Sequence, residues 1–305
     1  MSNNSHSYIF NKRNDDIIIF INGIYHKRKD AKISVFDSGF LLGDGVWESF
    51  RLHNGHLCFI ENHLDRLYAG AKSLQINIPY NRDKMKSAIN DTITKNNMNT
   101  NVHIRLIVSR GLKSTPYQHP NATVGEPTIV IIPEYKLADE NVNIKGISLS
   151  TVKTIRGTEL NQDPKINSLS KFNCIAACIE SYNNNTDEGL MLDINGHVAT
   201  CNSTNFFTVK DGKVFTSKGD YCINGITRYN IIQICKNNNI SVFEEDFDLD
   251  FVYNSDESFV TGTFSGVIPV ISIDGKLLSN GLSGPIAKRL YILYKKHIER
   301  LYPIE

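Results

Sequence analysis

The chain has 305 residues, a formal net charge of +1 and 21% charged residues. Near-neutrality argues against electrostatic capture by nucleic acid or acidic membranes, and no apolar run reaches the roughly 20 residues that span a bilayer. The length suits two domains better than one and allows a substantial core. The polar start "MSNNSHSYIFNKRNDD" lacks the apolar centre of a signal peptide. Six cysteines (58, 174, 178, 201, 222 and 235) form no CxxC pair, so a cytoplasmic protein with free thiols is expected. Cys174 and Cys178, four apart on an expected helix, read as packing residues rather than as a metal or redox pair.

In chain order, "DIIIFING" and "IYHKRKDAKISVFD" read as two strands around an Asn-Gly turn, and "GVWESFRLHNGHLCFI" as a second Asn-Gly hairpin with alternation on both arms. Leu64, Leu67, Ala71 and Leu74 have the spacing of an amphipathic helix. A second helix is expected over about 82–97, followed by the strands "VHIRLIVSRG" and "PTIVIIPEY". The polar stretch 136–146 reads as a linker between a first domain, 1–135, and a second, 147–305. The second half opens on the strand "ISLSTVK", passes a loop through Arg156 and enters a helix, "SKFNCIAACIESYNNN". A meander over 188–217, with turns at Asn195-Gly196 and Asp211-Gly212, precedes the helix "GITRYNIIQICKNNN". Strands "ISVFEED", "ESFVTGT" and "VIPVISIDG" and a helix from about 284 complete it. This mixture of hairpins and helices predicts an α+β fold rather than a doubly wound sheet.

Four features could carry chemistry. The start of "GITRYN" sets helix N–H groups beside the Thr227 hydroxyl, which serves either a phosphate or an ordinary cap. "TGTFSG", 261–266, is a small-residue turn after a strand, either an anion-approach site or a loop needing dihedral freedom. Arg66 sits on a helix, where it is a functional cation or a solvated one. Arg105 alternates with Ile104 and Leu106 in a strand, so it pairs with a carboxylate or faces solvent. His53 and His56 flank a hairpin turn, and no metal site is expected.

Taken together, "LLGDGVWESF", "HLDRLY", "IRLIVSRG", "GITR" and "VTGT…IPV" resemble, in that order, the fold type IV pyridoxal-phosphate enzymes. That family includes branched-chain and D-amino acid aminotransferases and aminodeoxychorismate lyases, and the resemblance runs from about residue 18 to 290. The N-terminal half is most similar to the D-amino acid enzymes. The resemblance implies two domains, pyridoxal 5′-phosphate held in the cleft between them, and a homodimer. It matches Arg66 to the arginine that holds the cofactor phosphate. Ile226 and Thr227, following Gly225, match the helix-start phosphate donors, and Gly262 and Thr263 match the second phosphate turn. Arg51 and Arg105 match strand positions facing the substrate pocket in some members, and Trp47 stands where an aromatic is usual.

At the reactive end this sequence departs from the pattern. A family segment such as "DPRIKSLNYL", laid without gaps on "DPKINSLSKF", puts Asn167 at the Schiff-base lysine, and Glu180 downstream keeps its register. The glutamate that pairs with the pyridine nitrogen falls on Thr200. A lysine forms the imine and moves the α-proton, and a carboxylate keeps the ring nitrogen protonated; Asn167 and Thr200 do neither. On a continuous helix Lys171 would lie one turn beyond Asn167, on nearly the same face. By resemblance position 171 matches a tyrosine near the cofactor ring oxygen, so Lys171 is the expected relocated amine. Loss of imine chemistry altogether is the second possibility, and Lys165, in extended chain, is the last.

The expected function is thus aminotransfer between an α-amino acid and a 2-oxo acid, with a lyase, eliminase or racemase of the same fold as neighbours. A non-catalytic binder of a phosphorylated ligand is the reading from another class. The Arg-x-His carboxylate trap of the D-amino acid enzymes is replaced by Thr115 and Tyr117, with Lys113 and Arg105 as other cations nearby.

Overall fold

The computed structural model describes residues 5–304; the first four residues of the polar start, and Glu305, lie outside the described residues. The chain divides into two compact units. One comprises Ile9–Leu137, Ile166–Lys171 and Tyr302–Glu305, the other Met1–Tyr8, Ala138–Lys165 and Phe172–Leu301.

The unit built on Ile9–Leu137 has a six-stranded sheet in the order Ile24–Lys27, Ile18–Ile21, Thr128–Tyr135, Val102–Ser109, Gly45–His53, His56–Leu57. Every neighbouring pair is antiparallel. Asn22 and Gly23 both have positive φ, 46° and 89°, which suits the right-handed twist of the hairpin they join. In the strand Gly45–His53, Val46, Glu48, Phe50 and Leu52 are buried while Trp47, Ser49 and Arg51 are only partly so, the two-residue period of a sheet with one core face. The helix Ile60–Ser73 buries His63, Leu64, Leu67, Gly70 and Ala71, and its leucines join Val46 and Phe50 in one apolar core. Across the sheet Ser49 faces Arg105 and Arg51 faces His103.

The other unit carries a nine-stranded mixed sheet. Its strand Ile147–Thr151 lies parallel to Glu188–Leu192 and to Gly266–Ile273, and Lys213–Thr216 lies parallel to Val242–Glu244. Parallel neighbours need crossovers; the helices Phe172–Asn183 and Ile226–Asn237 lie within two of these connections. Phe206 and Phe207, adjacent in the strand Asn205–Lys210, enter separate apolar clusters because successive side chains leave opposite faces.

The stretch 136–146 carries a short strand Leu137–Ala138 and a helix Glu140–Lys145 capped by the Asp139 side chain, and one division between the units falls within it, after Leu137. Two expectations change. The second arm of the 45–57 hairpin is only His56–Leu57, because the chain enters the helix at Ile60. The helix expected from Ser170 begins at Phe172, so Asn167 and Lys171 do not share a helical face. The cause is tertiary: Ser168 forms an antiparallel bridge with Val46, and the Leu169 N–H donates to the Gly45 carbonyl at 2.9 Å. Extended pairing there excludes helical dihedrals.

Candidate active-site groups

In the first unit the segment 167–169 is laced along the edge of Gly45–Trp47. The Trp47 N–H donates to the Asn167 carbonyl at 3.0 Å, and its indole Nε1–H donates to the Ser168 carbonyl at 3.1 Å. The Asn167 side chain is buried, and its Oδ1 has no hydrogen-bond partner among the described residues. Trp47 also gathers cations: the Arg105 guanidinium lies 3.8 Å from its ring centre and the Lys171 Nζ 5.4 Å. Burial depresses the Arg105 pKa, opposed by the charges of Glu134 and Glu48. Trp47, Arg105, Asn167 and Lys171 therefore form one group, with Arg51 on the same sheet face.

Arg66 is on the opposite, helix-covered side. Its Nε–H donates to Glu48 Oε1 at 2.7 Å and its Nη2–H to Oε2 at 2.8 Å, a fork-on-carboxylate pair. His63 Nδ1 lies 2.7 Å from Glu48 Oε2. Glu48 is fully buried and His63 nearly so. Burial pushes the Glu48 pKa up, but hydrogen bonds from Arg66 and His63 outweigh it and hold the carboxyl below its ordinary value. Burial lowers the His63 pKa, against the pull of Glu48. Glu48 and His63 were not expected from the sequence. The available signal was alternation, since Glu48 has the phase of Val46 and Phe50, and a charge there needs a buried partner.

In the second unit the helix Ile226–Asn237 starts from Gly225 with no side-chain cap on its first N–H groups. A Cβ at Gly225 would lie 2.2 Å from Asn205 Oδ1, so only glycine admits the approach of that amide. Asn205 Nδ2 in turn donates to the Ile223 carbonyl at 2.9 Å, fixing the chain just before the helix. Thr227 is buried and Ile226 half-buried. Asn205 is paired across the sheet with Thr261, whose buried Oγ1 has no partner among the described residues, and Gly262 follows. Gly262 and Thr263 are half-buried at the end of that strand. An uncapped helix start, with an unpaired Thr261 hydroxyl on the strand that pairs with Asn205, suits a phosphate group. The expected phosphate residues of this unit fit such a ligand.

Thr200 is buried, and its Oγ1–H donates to the Thr204 carbonyl at 2.8 Å. Thr204 donates to Glu188 Oε2 at 2.7 Å. Burial raises the Glu188 pKa, opposed by hydrogen bonds from Ser5, Thr204 and Ser203. Lys165 is exposed, with its Nζ 3.7 Å from Asp220 Oδ1. Lys113, in the short strand Leu112–Lys113, is buried and donates to the His119 carbonyl at 3.2 Å.

A family profile described as amino-transferase class IV matches residues 45–273. The chain is 39% identical over 269 residues to branched-chain-amino-acid aminotransferase-like protein 2 of Arabidopsis thaliana, covering 88% of this chain and 48% of that protein. It is 37% identical over 280 residues to a putative branched-chain-amino-acid aminotransferase of Methanocaldococcus jannaschii, covering 91% and 95%. The chain thus spans about half the length of its Arabidopsis relative and nearly all of the archaeal one. Among solved structures, a T.th. branched-chain amino acid aminotransferase with pyridoxamine 5′-phosphate superposes with a TM-score of 0.86 at 26% identity, covering 94% of this chain and 96% of that one.

Proposed function

The chain belongs to the class IV aminotransferase family, and from that premise we propose that it is a pyridoxal-phosphate-dependent enzyme transferring an amino group between an α-amino acid and a 2-oxo acid. Class IV aminotransferases use pyridoxal phosphate. When bound, that group supplies an electrophilic carbon and a ring that withdraws electrons from it.

The observation that carries the reading is the anion-ready helix start at Gly225, beside the strand of the unpaired Thr261 hydroxyl. We assign Ile226, Thr227, Gly262 and Thr263 to the phosphate, through N–H and hydroxyl donors, and Gly225 to the close turn beneath them. Arg66, matched by resemblance to a phosphate-holding arginine, is assigned to the cofactor as a cation, its guanidinium plane fixed by Glu48. Lys171 is the amine proposed to take over from position 167. Its support is no longer a shared helix face but the Trp47 ring, which it approaches while the Trp47 N–H is held by Asn167. Within that role the Lys171 amine would hold the cofactor and would accept and return a proton at the substrate's α-carbon. Arg105, Arg51 and Trp47 are assigned to the substrate, the arginines offering N–H donors to a carboxylate; Thr200, expected at the ring nitrogen, gives its hydroxyl proton to the Thr204 carbonyl and has none left to donate there. A homodimer is proposed with this assignment.

The Thr200 hydroxyl, committed to Thr204, favours one second reading. Without a carboxylate at 200 the ring is a weaker electron acceptor, which moves the chemistry towards elimination, lysis or racemisation. Incubation with pyridoxal phosphate, borohydride reduction and peptide mapping tests the assignment. The pyridoxyl group is expected on Lys171; its appearance on Lys165 would move the role there, and no modified lysine would leave a binder without covalent chemistry.

A further inference from the structure

Asn167 is 6% exposed, and its buried Oδ1 has no hydrogen-bond partner among the described residues. The main chain around it cannot turn to relieve this. Its own carbonyl holds the Trp47 N–H, the Ser168 carbonyl holds the indole, and the Leu169 N–H is bonded to Gly45. Buried acceptors left alone are rare and costly, and a site that keeps one has a donor to receive. The atom at the buried end of the amide is an acceptor only, so its partner brings a hydrogen.

We propose that Asn167 Oδ1 is the acceptor for a primary amine on the bound ligand, so that this site prefers the amine form of its cofactor, pyridoxamine phosphate, over a form unable to donate from the same carbon. The inference rests on the cofactor assignment above and adds to it a role for the residue that replaces the lysine. The charge argument agrees. An ammonium at 167 would repel a ligand ammonium, whereas a neutral amide oxygen attracts one. The contact is non-covalent and is independent of which lysine forms the covalent link.

Calorimetric titration of the full 305-residue chain, stripped of cofactor, compares pyridoxamine 5′-phosphate with 4′-deoxypyridoxine 5′-phosphate, which carries a methyl group in place of the aminomethyl. The amine is expected to bind about tenfold more tightly, the scale of one buried hydrogen bond to a charged group. In Asn167→Leu this ratio falls to about one through weaker amine binding, with the methyl analogue little changed. In Asn167→Asp, which keeps the acceptor, the ratio is retained or widened. Equal affinities in the parent chain, or a preference that survives Asn167→Leu, overturn the inference and leave the cofactor assignment standing. Binding of neither phosphate ester overturns the cofactor assignment itself, and this proposal with it.

Discussion

Glu48 decides what Arg66 can do. A guanidinium held by two short bonds to one carboxylate has a fixed plane, and its remaining donors keep their direction. Glu48→Gln keeps the shape and removes the charge. It is expected to weaken binding of pyridoxal phosphate about tenfold, while binding of pyridoxal without the phosphate is nearly unchanged; fluorescence titration of both ligands checks this. An equal loss for both would mean a general structural role. Lys171→Ala tests the other assignment at this scale. Borohydride-fixed cofactor is expected to fall to background with the phosphate affinity largely kept, as read by mass spectrometry of the reduced protein. The identities at 167 and 200 were legible from the sequence, because a residue type is a one-dimensional fact. The stacking of Arg105 on Trp47 was not, since it joins two strands far apart in the chain; neither the carboxylate nor the solvent alternative describes it.

At the level of elements, Ile60–Ser73, Arg82–Lys95 and Ile226–Asn237 all lie where helices were expected, the first of them from its apolar spacing. The start of Phe172–Asn183 was not readable. The 167–169 segment is claimed by a strand from the first half of the chain, and that competition leaves no local trace. The turn into Ile226–Asn237 gives a sharp prediction. Gly225→Ala places a methyl group against Asn205 Oδ1 and must displace the amide that fixes Ile223. A stability loss of about 1–3 kcal/mol is expected, with weaker binding of the phosphate-bearing cofactor. Denaturant melts together with cofactor titration check both effects.

For the whole molecule, the buried Glu48–His63 pair predicts how acid weakens the fold. His63 is held below its ordinary value of 6.5, so as pH falls past 6.5 the unfolded chain takes up a proton that the folded chain refuses. Stability is therefore lost towards acid in that window, and again below 4.5, where Glu48 resists protonation in the fold. Glu188 works in the opposite sense. Its pKa is raised, so its contribution is present at acid pH and fades as pH rises above 4.5. In His63→Gln the first effect is missing while the others remain. The gap in melting temperature between parent and variant is expected to narrow as pH drops from about 7 to about 5, by scanning calorimetry. For the assembly, light scattering is expected to give a particle of twice the 34.4 kDa chain.

The amino-acid order by itself determined the α+β class, much of the run of hairpins and helices, the small-residue turns at Gly225 and Gly262, and the amide and hydroxyl at 167 and 200. Each of these is set by local periodicity or by residue identity, and neither needs a partner distant in the chain. Tertiary structure alone decided that the segment 167–169 pairs beside Trp47, whose ring the Lys171 Nζ approaches, that Glu48 holds Arg66, and that the Thr200 proton belongs to Thr204. Those outcomes depend on which strands pair and which side chains lose their water, and burial makes each surviving polar contact count.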